Sequence, residues 1–260
     1  MRILMFILTA FCLALVSIST KAEGQSFIAQ YSPAKTRDFD SFNRQLYQNH
    51  TLEELAEKLS SQISLPEPVT LTIAECGQAN AFYNSQYRAI VICYELVGQM
   101  ANGIQRSFKG IASPQEINDS ISGGLSFILL HELGHALIRI LDLPVLGREE
   151  DAADQIAAYL ILQPPGNSPS SALAGALWFF RSGSSLFYTR RHFSDTHSLG
   201  PQRQSNLACW AYGKDPIRYQ YLLVGKHLTY ERSLGCADEY QKLDSTVHKL
   251  LGSNVHLANN

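Results

Sequence analysis

Residues 127–141 read FILLHELGHALIRIL. A carboxylate and two imidazoles stand in a run otherwise apolar enough to be core, with Phe127, Ile128, Leu129, Leu130, Leu133, Leu137, Ile138, Ile140 and Leu141 around them. Burying a charged Glu132 there is costly unless something compensates it. His131 and His135 are four apart, so on a helix they share a face and can reach one ion, with Glu132 beside it. A satisfied core histidine is the ordinary reading of one such residue. Two at this spacing, with a glutamate between them, would need three separate hydrogen-bonding explanations. A metal ion supplies one explanation for all three.

A zinc site of this type needs a third protein ligand and leaves a fourth position open. A third histidine at the metzincin spacing is absent, because Ile138 and Leu141 stand where the glycine and the histidine of that pattern would be. The next acidic cluster is REEDAADQIAAYLIL, residues 148–162, which reads as a helix with an acidic first turn and Pro164-Pro165 beyond its end. Glu150 and Asp154 share a face of it. Glu150 is thus the expected third ligand, and Asp154 the group that accepts a hydrogen bond from a liganding histidine and fixes its tautomer. Glu149 is the competitor, pointing about 100° away.

Upstream, Ser113, Pro114 and Glu116 form a capping box with proline at the first helical position, and Gly123-Gly124 marks a possible interruption before the histidine segment. Thr51 and Glu54 form another box, opening an amphipathic helix with Leu52, Leu55, Ala56 and Leu59 on one side. Val69–Ala74 and Ala89–Cys93 read as strands, with a further short strand in the QANAFYNSQY stretch between them, together a small antiparallel sheet. Helical patches follow around 172–180 and 201–212, and 253–260 reads as a loose tail.

The first 22 residues carry Arg2, an apolar run from Ile3 to Val16, then small residues ending at Thr20–Ala22, which reads as a secretory signal peptide. The expected organisation is that leader and one domain over 23–260, with no membrane span once the leader is cleaved, in a secreted or periplasmic protein. Without Arg2 and Lys21 the 21 basic residues become 19 against 23 acidic ones, a net charge of −4. No basic surface for nucleic acid is expected. Cys12 leaves with the leader. Cys76, Cys93, Cys209 and Cys236 remain, and sequence proximity favours disulfides Cys76–Cys93 and Cys209–Cys236.

HELGH followed by EDAAD resembles the gluzincin metallopeptidases. The chain from about Leu52 to Tyr240 is similar to a bacterial family of metallopeptidase-like proteins known chiefly as a domain of unknown function. That family carries HELGHA, the stretch DLPVLGREEDAADQ found here from Asp142 to Gln155, and a late HSLxxQRxxNxxCxxYGxDP pattern matched from His197 to Pro216. The resemblance implies an α+β, zincin-like fold, a small antiparallel sheet on a helical core that contains the HELGH helix. It implies a Zn2+ cofactor and a peptide or protein substrate, hydrolysed through a zinc-activated water with Glu132 as general base. By likeness to thermolysin-type enzymes, Asn80 and Ala81 would belong to an edge strand that holds substrate. A late histidine or tyrosine would stabilise the oxyanion, with His197 the first candidate, Asp195 its orienting partner, and His192, Tyr188 and Tyr212 as others. Rival readings are a metallopeptidase-like binding or scaffolding protein of the cell envelope that no longer turns over substrate, and a zinc amidase. The intact Glu132 argues against the first.

Overall fold

The computed structural model describes residues 25–163, 170–182, 188–225 and 227–255. The leader reading falls outside them. In chain order the elements are β1 (Phe27–Tyr31), α1 (Arg37–Gln48), α2 (Thr51–Gln62), β2 (Val69–Ala74), β3 (Ala81–Asn84) and β4 (Ala89–Cys93). Then come α3 (Tyr94–Phe108), α4 (Pro114–Ile140), α5 (Glu149–Leu162), α6 (Ser170–Ser182), α7 (Arg190–Phe193), α8 (Gly200–Lys214), α9 (Tyr221–Val224), α10 (Tyr230–Ser233) and α11 (Cys236–Leu251). The architecture is mixed α/β, a four-stranded sheet against a mostly helical core.

The sheet is not the antiparallel one expected. Its order is β1-β2-β4-β3, with β1 parallel to β2, β2 parallel to β4, and only β3 antiparallel to β4. β1 and β2 are parallel because α1 and α2 carry the chain from the end of β1 back to the start of β2, a crossover that a hairpin turn could not supply, whereas β2 and β4 are parallel because the intervening β3 runs the opposite way on the far side of β4. Phe27, Val69, Leu71, Ile90 and Ile92 are buried in the core. β3 is an edge strand, pairing with β4 alone among the described residues.

α4 is the spine, packing on α3, β3, β4, α5 and α6. Its start is as the sequence predicts. Ser113 Oγ accepts from the Glu116 amide, Glu116 returns a bond to the Ser113 amide, and Pro114 occupies the first turn. There is no interruption at Gly123-Gly124, and Gly124 serves a helix crossing. A Cβ on Gly124 would lie 3.2 Å from the Gly175 backbone of α6, and one on Gly175 would collide with the Ser120 carbonyl. Length and hydropathy alone would let α4 cross a membrane, but two-thirds of its apolar window is buried inside the protein, as in the core helix of a compact domain.

Two further expectations are corrected. α2 does not use Thr51 as a cap: Thr51 is already helical, and the preceding His50 turns the chain at φ 52° with no side-chain capping bond. The tail reading fails as far as Val255, since Ser64 donates to the Asn254 carbonyl at 2.7 Å and Val255 bridges Ile63. The cysteine pairing is as expected. Cys76–Cys93 ties the loop before β3 to the end of β4, and Cys209–Cys236 ties α8 to α11, with Cα separations of 5.5 and 5.0 Å. Closing loops of 17 and 27 residues is worth about 3 kcal/mol each in the chain-entropy account.

Candidate metal centre

The site is built where α4 meets the first turns of α5. Gly134, the glycine of HELGH, lies so close to Ala153 that a Cβ there would stand 2.8 Å from the Ala153 Cα. This backbone-to-backbone approach brings Glu150, one turn before Ala153, over the face of α4 that carries His131 and His135. His131 Nε2 and His135 Nε2 are 3.3 Å apart. Glu150 Oε2 is 3.1 Å from the first and 3.3 Å from the second. A tetrahedral ion with ligand bonds of roughly 2.0–2.2 Å spaces its ligands by about 3.3–3.6 Å, within a few tenths of an ångström of all three separations, so these three atoms fit one cation. Two imidazoles and a carboxylate are also a suitable donor set.

The outward-facing atoms support the same reading. His131 Nδ1 donates to Asp154 Oδ1 at 2.9 Å, which leaves the Nε2 lone pair facing the other two ligand atoms. Glu149 takes the corresponding place for the second histidine, accepting from His135 Nδ1 at 2.8 Å. Glu149 is therefore an orienting partner. Asp154 is itself gripped by Arg203 of α8, whose Nε and Nη2 donate to its two oxygens at 2.6 Å each. The guanidinium in turn lies 4.5 Å over the Phe180 ring. Arg203 is in the late sequence pattern, but only the fold brings it to Asp154.

His197 lies between α7 and α8. Its Nε2 stands 2.9 Å from Glu150 Oε2, and its Nδ1 and backbone amide both donate to Asp195 Oδ1, at 3.1 and 2.9 Å. The segment is strapped to the start of α5. Arg148 donates to the His197 carbonyl, and Ser198 Oγ donates to Asp151 Oδ1 at 2.6 Å. His131, Glu150 and His197 also offer ligand atoms within 4.8 Å of one another, so His197 stands close enough to be a further ligand or a neighbour of the ion. Tyr188 and His192 contact each other, Tyr212 packs against the core, and none of the three lines the hollows described next.

Glu132 is buried and opens onto two hollows that share it with His131, Ala81 and His197. The first, about 370 Å³, is edged by Phe82, Tyr83, Ser85, His135, Arg139, Glu149 and Glu150. The second, about 310 Å³, is edged by Ala79, Asn80, Leu96, Gln99, Phe127, Ile128, Phe179 and Arg203. Ala81, the first residue of β3, thus stands at the joint between the hollows, with Asn80 beside it on the wall of the second.

Charge in the site is strongly coupled. Burial raises the Glu132 pKa, and the backbone amide of Tyr83 opposes this by hydrogen bonding to its carboxylate. Burial alone would lower the His131 pKa, yet hydrogen bonds to Asp154 and Glu150 push it up to about 9. Glu150 is the reverse case, where burial would raise the value and the three histidines hold it far below the usual carboxylate range. The neighbouring carboxylates thus favour positive charge on the imidazoles, raising the pKa of His135 and His197 as well.

A family model described as "Putative metallopeptidase" (DUF4344) matches residues 31–251, a span containing every residue of the site. No curated protein and no solved structure gives a match. With its match running from β1 to the end of α11, the chain belongs to this metallopeptidase-like family.

Proposed function

We propose that the protein is a secreted or periplasmic zinc-dependent peptidase with a zincin-like arrangement, in which His131, His135 and Glu150 hold the ion. The observation that carries this reading is the convergence of those three ligand atoms at 3.1–3.3 Å next to a buried carboxylate that opens onto a cleft. The disulfides fit an oxidising compartment. When bound, zinc supplies Lewis acidity, lowering the pKa of water to about 7 and neutralising charge that develops on a carbonyl oxygen.

The chain's own residues do the rest. Glu132, its carboxylate held by the Tyr83 amide and its pKa raised by burial, accepts a proton from the attacking water and passes it to the departing amine. His197, oriented by Asp195 and drawn toward its protonated form by the Glu150 carboxylate, donates to the oxyanion. The open edge of β3 at Ala81 lends main-chain hydrogen bonds to an extended peptide, and the side chain of Asn80, whose backbone carbonyl is held by the Cys93 amide, adds a contact beside it. The test is cleavage of a mixed peptide pool by zinc-loaded protein with and without a chelator, alongside Glu132→Gln. We expect hydrolysis that the chelator and the substitution each abolish, with zinc still bound in the variant. Undiminished cleavage by Glu132→Gln would refute this mechanism.

A further inference from the structure

The cleft is unequal in charge along its length, and the inequality rests on one residue of α4. His131, His135 and Arg139 recur every four positions and so form one stripe along the helix. Arg139 is exposed and lines the first hollow together with Tyr83 and Ser85. The carboxylates that share this hollow are engaged elsewhere, Glu149 with His135, Glu150 with the histidines and Glu132 with the Tyr83 amide. Among the described residues Arg139 forms no ion pair, while the buried Tyr83 hydroxyl nearby lacks a hydrogen-bond partner. The second hollow is different: its walls include Leu96, Phe127, Ile128 and Phe179, and the Arg203 guanidinium on its wall is committed to Asp154.

Helix geometry sets the spacing. At 1.5 Å per residue, Arg139 is about 6 Å beyond His135 along α4, or about 9 Å from the midpoint of the two histidines. An extended peptide advances about 3.3 Å per residue, so Arg139 stands two or three residues from the bond over the site. Strand direction sets the side. β3 runs from Ala81 at the second hollow toward Ser85 at the first, and a guest strand in the antiparallel pairing, the more stable one, starts at the Ser85 end.

Resting on the peptidase reading above, we propose that Arg139 forms a subsite for an aspartate or glutamate side chain two or three residues N-terminal to the cleaved bond, making acidic segments the preferred substrates. The experiment uses two fluorescein-labelled peptide pools, identical except that one contains Asp and Glu and no Lys or Arg, the other the converse. Binding is measured by anisotropy on zinc-loaded Glu132→Gln, with and without a second substitution, Arg139→Glu, each protein checked for an unchanged melting temperature. The Arg139 protein should favour the acidic pool by about fivefold, less at high salt, and Arg139→Glu should reverse that preference. Equal affinities, no binding of either pool, or a preference untouched by Arg139→Glu overturns the subsite. Cleavage by the wild type, read by mass spectrometry, separates the two ideas. Selective binding without any cleavage supports the subsite and refutes the peptidase, whereas cleavage without acidic enrichment on the N-terminal side does the opposite.

Discussion

Gly134 and Ala153 are in backbone contact across the α4–α5 crossing, and the placement of Glu150 over His131 and His135 depends on that contact. Gly134→Ala puts a methyl group 2.8 Å from the Ala153 Cα and 3.0 Å from its carbonyl oxygen, so the helices must separate. Overpacking of this kind costs about 1–3 kcal/mol. The expected outcome is a lower melting temperature and, because the carboxylate is carried off with α5, zinc affinity reduced by about tenfold or more. Chelator-competition titration checks it; unchanged affinity would mean that the crossing does not set the ligand geometry.

Arg203 reaches the candidate metal centre through Asp154, which accepts from His131. Arg203→Ala should weaken zinc binding by about 10–100-fold, the usual range for partners that orient a ligand. Arg203→Lys should recover only part of the loss, since an ammonium cannot reproduce the two 2.6 Å bonds of the guanidinium fork. Zinc dissociation constants for the three proteins decide this, with full recovery by lysine speaking for charge alone.

His197 can be separated from the ligands by measuring metal and rate together. His197→Ala should retain one zinc per chain and lose about 10²–10³-fold in kcat, the range for removal of an oxyanion donor. Wild-type turnover in that variant would remove His197 from the catalytic set. Loss of the metal would make it a ligand.

The metal-free protein should have its own pH dependence. The folded-state pKa of His131, about 9, lies above the ordinary 6.5, so its protonation stabilises the fold fully below about pH 6.5 and is lost as pH rises through 9. Zinc must displace the same proton, so its affinity rises over that window. Calorimetry at pH 6.5 and 9 should show a falling melting temperature without zinc and a widening gap between the zinc-loaded and metal-free proteins. A gap that narrows with pH contradicts the assignment.

What could be read in advance was local in the chain. The capping box at Ser113, the four-residue spacing of His131 and His135, the acidic first turn of α5 and the neighbouring cysteines all act within a few turns or a short loop. What could not be read depends on partners distant in sequence. β1 is only five residues long, and its parallel pairing spans Phe27 to Val69. Gly123-Gly124 looks like a helix break until Gly175 arrives against it. Arg203 is 49 residues from the aspartate it clamps, and nothing local marks it for that role. Arg139 continues the histidine stripe, but its importance emerges only when β3 closes the other side of the cleft.

If Glu150 joins two histidines of α4 on a single cation, its removal must empty the site. The most direct measurement is elemental analysis of the protein after equilibration with limiting zinc, comparing the wild type with Glu150→Ala. One zinc per chain is expected in the wild type and far less than one in the variant. Equal zinc in both, or none in the wild type, would contradict ligation by Glu150.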